Sequence, residues 1–88
     1  TADELLHVRC SLIHGISGPV LRSLLDKLFE KTVITGAERD SVDGIQDQRD
    51  KARFVIDTVR KKGEAASSEM TAFLLEADPF LCEHLGLM

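Results

Sequence analysis

The chain has 88 residues, of which 43% are hydrophobic and 30% charged, and its formal net charge is −4. This length allows one domain with one core and leaves little volume for a buried cofactor. No apolar stretch approaches the roughly 20 residues that a membrane span requires, and the acidic balance disfavours nucleic-acid binding.

The start of the chain resembles neither a signal peptide nor a natural N-terminus. Charged residues occupy the segment that would be apolar in a signal peptide, and residue 1 is Thr. We therefore expect residues 1–88 to be one cytoplasmic domain excised from a longer protein. The two cysteines, Cys10 and Cys82, are expected to be free thiols that lie in or near the core.

Helical periodicity begins with the first residues. A first helix is predicted over about Ala2–His14, and Gly15 and Gly18 then interrupt the pattern. Pro19 suits the first turn of a second helix, over about Pro19–Lys31. The apolar residues predicted to face the core from this part of the chain are Leu5, Leu6, Leu12, Ile13, Ile16, Val20, Leu21, Leu24, Leu25 and Leu28.

Capping signals mark the next two helices. Thr35, followed three residues later by Glu38, is a capping box, so a third helix is predicted from there to about Gly44. A fourth is predicted over about Asp47–Lys62, and Gly63 suits the position after its cationic last turn. The residues predicted to be buried are Ala37, Val42, Ile45, Ala52, Val55, Ile56 and Val59.

The remaining chain predicts a fifth helix over about Glu64–Glu76 and a short sixth over Pro79–Leu85. Asp78 would cap the sixth helix, with proline in its first turn. The inward residues of the fifth helix are predicted to be Ala66, Met70, Phe73 and Leu74. Because no alternating strand pattern occurs, the sequence predicts an all-α, antiparallel six-helix bundle.

Charge is distributed unevenly along this pattern. Residues 49–62 contain six basic and two acidic residues, whereas residues 26–47 contain six acidic and three basic ones. Residues 63–88 contain five acidic residues and no Lys or Arg. Opposite charge on different faces would let the molecule bind head-to-tail to copies of itself or to a relative. The alternative is a solvated surface with local pairs, such as Arg22 with Asp26, or Glu30 with a neighbouring lysine.

Catalytic and metal-binding chemistry finds little support. His7, Cys10 and His14 share one face of the first helix, but no fourth ligand accompanies them, so no metal site is predicted. Neither cysteine lies in a catalytic signature, and no phosphate-binding loop occurs, so we expect no enzyme activity and no cofactor. The fourth helix could imitate a calmodulin target, but the core requires its apolar side.

The order of three segments is similar to that of a known family. "VLRSLLDKLFEKTVITGAERDSV" is followed by "DKARFVIDTVRKKGEAA" and then by "FLCEHLGLM". Together they resemble a caspase recruitment domain of the death-fold superfamily, most of all the prodomain of inflammatory caspases. The resemblance covers essentially the whole chain. It implies a Greek-key bundle of six helices with a broken first helix.

The resemblance also implies assembly between like domains. Such domains stack into filaments, in which a basic surface from helices 1 and 4 meets an acidic surface from helices 2 and 3. On this chain the resemblance assigns the basic side to Arg9, Lys51 and Arg53. It assigns the acidic side to Asp26, and it makes Asp50 the acidic partner in the "DK" pair.

We add Glu30 and Asp40 to the acidic side from their charge and helix position. His14 stands where the family often has a basic residue, which predicts stronger assembly as the pH falls toward about 6. The expected partners are caspase recruitment domains, either its own copies or those of an inflammasome receptor, an adaptor or a caspase, without nucleic acid or membrane. The parent could be a caspase, a nucleotide-sensing receptor or adaptor, or an inhibitory decoy. A monomeric adaptor that binds an unrelated peptide remains a different alternative.

Overall fold

The computed structural model describes residues 2–87 and contains six helices. They are α1 (Ala2–Gly15), α2 (Gly18–Glu30), α3 (Gly36–Asp43), α4 (Gln48–Lys61), α5 (Glu64–Ala77) and α6 (Pro79–Leu85). No strand occurs within the described range. The predicted all-α six-helix bundle is therefore confirmed, with every boundary within a few residues of its expected position. None of the described helices is long and apolar enough to cross a bilayer.

Short polar side chains fix where most of these helices begin. The Ser17 hydroxyl accepts a hydrogen bond at the start of α2, and the carboxylates of Asp47 and Asp78 do so at α4 and α6. At α3 the capping box is complete, because Thr35 and Glu38 each accept from the other's backbone N–H. Each such cap contributes about 1 kcal/mol, so the sequence specifies these boundaries locally.

The end of α2 has an unusual residue in a common motif. The Val33 N–H donates to the Leu28 carbonyl at 2.8 Å, and the Thr32 N–H donates to the Phe29 carbonyl at 3.0 Å, which is a Schellman motif. This motif places Thr32 at a φ of 56°, a left-handed conformation that glycine adopts freely and that costs a β-branched residue about 1–2 kcal/mol.

The core is formed by one apolar stripe from each of the larger helices. All four predicted residues of α4 are buried, as are Val42 of α3 and Leu74 of α5, while Val20, Ile45 and Phe73 are half-buried. The fully or nearly buried apolar residues are Leu5, Leu12, Ile13, Ile16, Leu21, Leu24, Leu25, Leu28, Ile34, Val42, Ala52, Val55, Ile56, Val59, Ala66, Met70, Leu74 and Cys82.

Three predicted core positions are wrong. Leu6 is 51% exposed, and Cys10 and Ala37 are also exposed. Successive helical residues are turned by about 100°, so Cys10 lies about 140° around α1 from buried Leu5, and Ala37 lies as far around α3 from Val42. Leu5 is buried in the core, whereas the adjacent Leu6 lies outside it and is exposed.

The expected break in the first helix is also absent, since α1 runs without interruption from Ala2 to Gly15. Helix breaks require Gly, Pro or an inserted group, and residues 2–14 contain neither Gly nor Pro. Gly15 instead permits close packing, because a Cβ atom there would lie 2.6 Å from a methyl carbon of Leu81. Among the helices of residues 2–87, α6 packs only on α1 and α5, whereas α2 packs on α3, α4 and α5.

Candidate protein-interaction surfaces

Arg9 joins α1 to α4. Its Nε and Nη2 atoms donate to the two carboxylate oxygens of Asp57 at 2.7 and 2.8 Å, and Arg60 Nη2 lies 3.7 Å from the same carboxylate. The hydrogen bond from Arg9 lowers the pKa of Asp57 below its usual range, against the opposing effect of partial burial. Arg9, predicted to belong to the basic side, is therefore first of all a clamp between two helices.

Arg53 occupies the exposed side of α4. Its Nη1 atom donates to Asp50 Oδ1 at 2.6 Å, one helical turn earlier, and both side chains are about half exposed. Together with Phe54, Asp57 and Lys61 they line a shallow groove of about 380 Å³. We refer to the side of α4 that carries Asp50, Arg53, Phe54, Asp57 and Lys61 as the α4 outer surface.

Lys51 does not share this surface. It lines a separate groove of about 650 Å³ between α2, α3 and α4, which we call the α2–α4 groove, together with Arg22, Asp26 and Arg39. Residues two apart on a helix are turned by about 200°, so Lys51 and Arg53 lie on opposite flanks of α4. The structure thus separates Lys51 from the two arginines with which the resemblance grouped it.

Asp26 pairs with an arginine that sequence reasoning missed. Arg39 of α3 donates to the Asp26 carboxylate, and its guanidinium carbon lies 5.3 Å from the centroid of the Phe29 ring, a cation–π distance. The expected local pair between Arg22 and Asp26 is not formed. Arg39 is the only cation in the α3 sequence, a signal that could have indicated a partner on a neighbouring helix.

The other two predicted acidic residues, Glu30 and Asp40, are exposed. Within residues 2–87 neither forms an ion pair, including with the lysines beside Glu30. We refer to Asp26, Phe29, Glu30, Arg39 and Asp40 as the α2–α3 surface. It contains three carboxylates and one arginine.

A further ion pair ties α3 to the end of α4. Lys62 Nζ lies 2.9 Å from Glu38 Oε1, the same carboxylate that completes the capping box. The hydrogen bond from Lys62 and the backbone N–H of Thr35 lower the pKa of Glu38. Lys62 therefore forms an ion pair within the domain that helps to hold α3 against the end of α4.

The titratable groups of α1 and α6 do not form a metal site. In the described part of the chain no group of three His, Cys, Asp or Glu side chains could hold a metal ion. His14 Nδ1 donates to the Cys10 carbonyl oxygen at 2.8 Å on the exposed side of α1. Burial raises the pKa of the Cys82 thiol, which keeps it protonated and unreactive.

Comparison with known proteins agrees with this architecture. The family model described as "Caspase recruitment domain" matches residues 2–87. Human "Caspase recruitment domain-containing protein 18" is 35% identical over 88 residues, covering 98% of this chain and 98% of that protein. Horse "Caspase-1" is 38% identical over 88 residues, and the chain spans only 22% of the length of that relative.

One solved structure has the same fold. It is the solution structure of ICEBERG, described as an inhibitor of interleukin-1β generation. The TM-score is 0.87 at 34% sequence identity, with 96% of each chain covered.

Proposed function

Because this chain belongs to the caspase recruitment domain family, we propose that it works by binding other caspase recruitment domains, its own copies included, through oppositely charged surfaces. Domains of this family are non-catalytic interaction modules that bind other proteins carrying the same domain. The chain shares the death fold of ICEBERG and is homologous to the caspase-1 prodomain.

One observation supports this proposal most strongly: exposed charges of opposite sign lie on different elements. The α4 outer surface contains Arg53 and Lys61 beside two carboxylates, and one of these, Asp57, is also contacted by the arginines Arg9 and Arg60. Cations are therefore in excess there, whereas on the α2–α3 surface three carboxylates, Asp26, Glu30 and Asp40, stand against the single Arg39. A contact between two different surfaces of identical chains is heterologous, so each added copy leaves one surface of each kind open. Such a contact extends into a filament unless its rotation closes a ring.

The internal ion pairs on these surfaces are compatible with binding. Arg53 with Asp50, and Asp26 with Arg39, are pairs between solvent-exposed side chains, which contribute about 0–1 kcal/mol each. Both can therefore exchange or share partners when a second copy approaches. Asp50 and Arg39 then hold the interacting side chains in place in the free domain.

Relatives of two kinds suggest what the binding serves. In a caspase-1-like parent, assembly in the cytoplasm would raise the local concentration of attached protease domains and promote their activation in inflammatory signalling. The second candidate is an inhibitory decoy. It is suggested by the 35% identity to human "Caspase recruitment domain-containing protein 18" and by the likeness to ICEBERG, which is described as an inhibitor of interleukin-1β generation. A receptor or adaptor carrying this domain would use the same surfaces. Sequencing the transcript beyond residue 88 distinguishes these parents.

Charge reversal tests the proposal. We expect Asp26→Arg and Arg53→Glu each to raise the concentration needed for assembly at least about tenfold, as measured by light scattering and electron microscopy. Glu69→Arg, an exposed reversal outside both surfaces, is the control and should assemble like wild type. If both test variants polymerise at wild-type rates while folded by circular dichroism, the proposal is wrong.

A further inference from the structure

Phe80 is the most exposed large apolar residue in the described chain. Its side chain is 83% exposed at the first turn of α6, whereas the next residues of the same helix, Leu81 and Cys82, pack inward. Single exposed apolar residues are common on protein surfaces. Phe80 differs in its charged neighbours along the chain, which are acidic apart from His84.

The surroundings of Phe80 are acidic. Glu83 follows Phe80 by three residues and so shares its face of α6, and Glu76 is exposed at the end of α5. Asp78 caps α6 between them. Residues 63–88 contain no Lys or Arg. We call the residues Glu76, Asp78, Phe80 and Glu83 the α5–α6 corner, an aromatic side chain in a negative field.

The α2–α4 groove has the complementary character. Its volume of about 650 Å³ falls within the range of about 300–1,000 Å³ typical of small-ligand pockets, so it can accept one aromatic ring. The buried side chains of Leu21 and Leu25 form part of its wall. Its charged lining residues are three cations, Arg22, Arg39 and Lys51, and two carboxylates, Asp26 and Asp43. The groove therefore combines an apolar surface with a small excess of positive charge.

Two cations of this groove differ from Arg53 in being unpaired. Within residues 2–87 neither Arg22 nor Lys51 forms an ion pair, and the nearby Asp26 is already neutralised by Arg39. On the α4 outer surface, by contrast, Arg53 is paired with Asp50. The α2–α4 groove therefore offers two unpaired cations to an incoming carboxylate.

We propose that the α5–α6 corner of one chain docks into the α2–α4 groove of a second copy, with Phe80 against the apolar wall and the acidic residues facing Arg22 and Lys51. Helix α6 packs only on α1 and α5, whereas the groove is built from α2, α3 and α4. The α5–α6 corner and the α2–α4 groove thus lie on different elements, so the contact is heterologous. The inference rests on the proposed function and adds a second contact to it, one that does not use Arg53.

The test uses two folded 88-residue variants in which the charged contact is disabled by Arg53→Glu. The ¹⁵N-labelled acceptor also carries Phe80→Ala, so it keeps only the groove. The unlabelled donor also carries Arg22→Glu and Lys51→Glu, so both unpaired cations of its own groove are reversed and it keeps only the corner. On titration we expect amide shifts in the acceptor at residues 18–26 and 51, and with reversed labelling, shifts in the donor at residues 76–84.

Two further donors serve as controls. A donor that also carries Phe80→Ala should bind about 10- to 100-fold more weakly, the loss expected when a buried aromatic anchor is truncated. A donor that carries Leu6→Ala, which removes a different exposed apolar side chain, should bind like the original donor. Shifts that are absent at millimolar concentration, or that map to the α4 outer surface, would overturn the inference.

The two proposals can fail separately in these experiments. If the wild-type chain assembles and Arg53→Glu prevents it, while the titration shows no shifts, only the docking inference fails. If the titration shows the expected shifts, while wild-type assembly is insensitive to Asp26→Arg and Arg53→Glu, only the charged-surface proposal fails.

Discussion

Replacing Asp57 with Asn removes the carboxylate that holds Arg9 of α1 against α4. Arg9 donates two hydrogen bonds to it, and Arg60 adds a longer ionic contact. Hydrogen bonds to charged groups contribute about 1.5–3 kcal/mol, and fully exposed ion pairs about 0.2–1 kcal/mol. Because the Arg9 and Asp57 side chains are 25% and 30% exposed, we expect Asp57→Asn to lower the free energy of unfolding by about 1–2 kcal/mol.

Thermal and urea denaturation followed by circular dichroism measure this loss. For a domain of this size each kcal/mol lowers Tm by about 4–8 °C. The effect should depend on pH, because Arg9 holds the pKa of Asp57 in the folded chain below its ordinary value of 3.8. The stabilisation by Asp57 is then complete above about pH 5 and is lost as the pH falls through the folded pKa. Wild type and Asp57→Asn should converge in stability only once the pH has fallen below the folded pKa of Asp57, which itself lies below 3.8.

A double-mutant cycle with Arg9→Gln isolates the pair. We expect the two single variants and the double variant to be similarly unstable, since each removes the same interaction. If Asp57→Asn leaves Tm unchanged at pH 7, or if the two substitutions are additive, Arg9 does not clamp the helices. Arg9 would then be available to the α4 outer surface, as the sequence alone suggests.

Four further substitutions test the local explanations of the fold by urea denaturation. Thr32→Gly should stabilise by about 0.5–1 kcal/mol, because it relieves the positive φ; a destabilised variant would contradict this. Gly63→Ala should lower the free energy of unfolding by about 1–3 kcal/mol because Gly63 has a φ of 104°. The control Gly36→Ala should be neutral or stabilising. Equal effects of the two substitutions would count against the backbone explanation. Leu24→Ala should lower the free energy of unfolding by about 2–5 kcal/mol, because Leu24 is fully buried. A loss below about 1 kcal/mol would show that the core collapses into the space left by the missing side chain.

Sequence reasoning succeeds where the determining interactions are local. The stripe Ala52, Val55, Ile56 and Val59 is buried as predicted because one helical period relates all four residues. The capping box at Thr35 and the glycine after α4 depend only on neighbours within a few residues. Periodicity fails where adjacent residues are equally apolar, and so it could not choose between Leu5 and Leu6.

The surfaces are harder to predict because their partners are distant in sequence. Asp57 is 48 residues from Arg9, and Arg39 is 13 residues from Asp26, so neither pair could be found by helical spacing. The position of Lys51 is different. Its two-residue separation from Arg53 already places the two side chains on opposite flanks of α4, and helical geometry alone would have separated them.

Mixing two inactive variants tests the charged-surface contact most directly. The Asp26→Arg chain keeps its α4 outer surface, and the Arg53→Glu chain keeps its α2–α3 surface, so together they retain one intact contact. Sedimentation velocity should show each variant alone as a monomer at concentrations where wild type forms filaments. The equimolar mixture should associate, because the two chains retain one intact contact and their two reversed surfaces also carry opposite charges. A mixture that stays monomeric under these conditions, or either variant assembling alone, would contradict a head-to-tail contact between these surfaces.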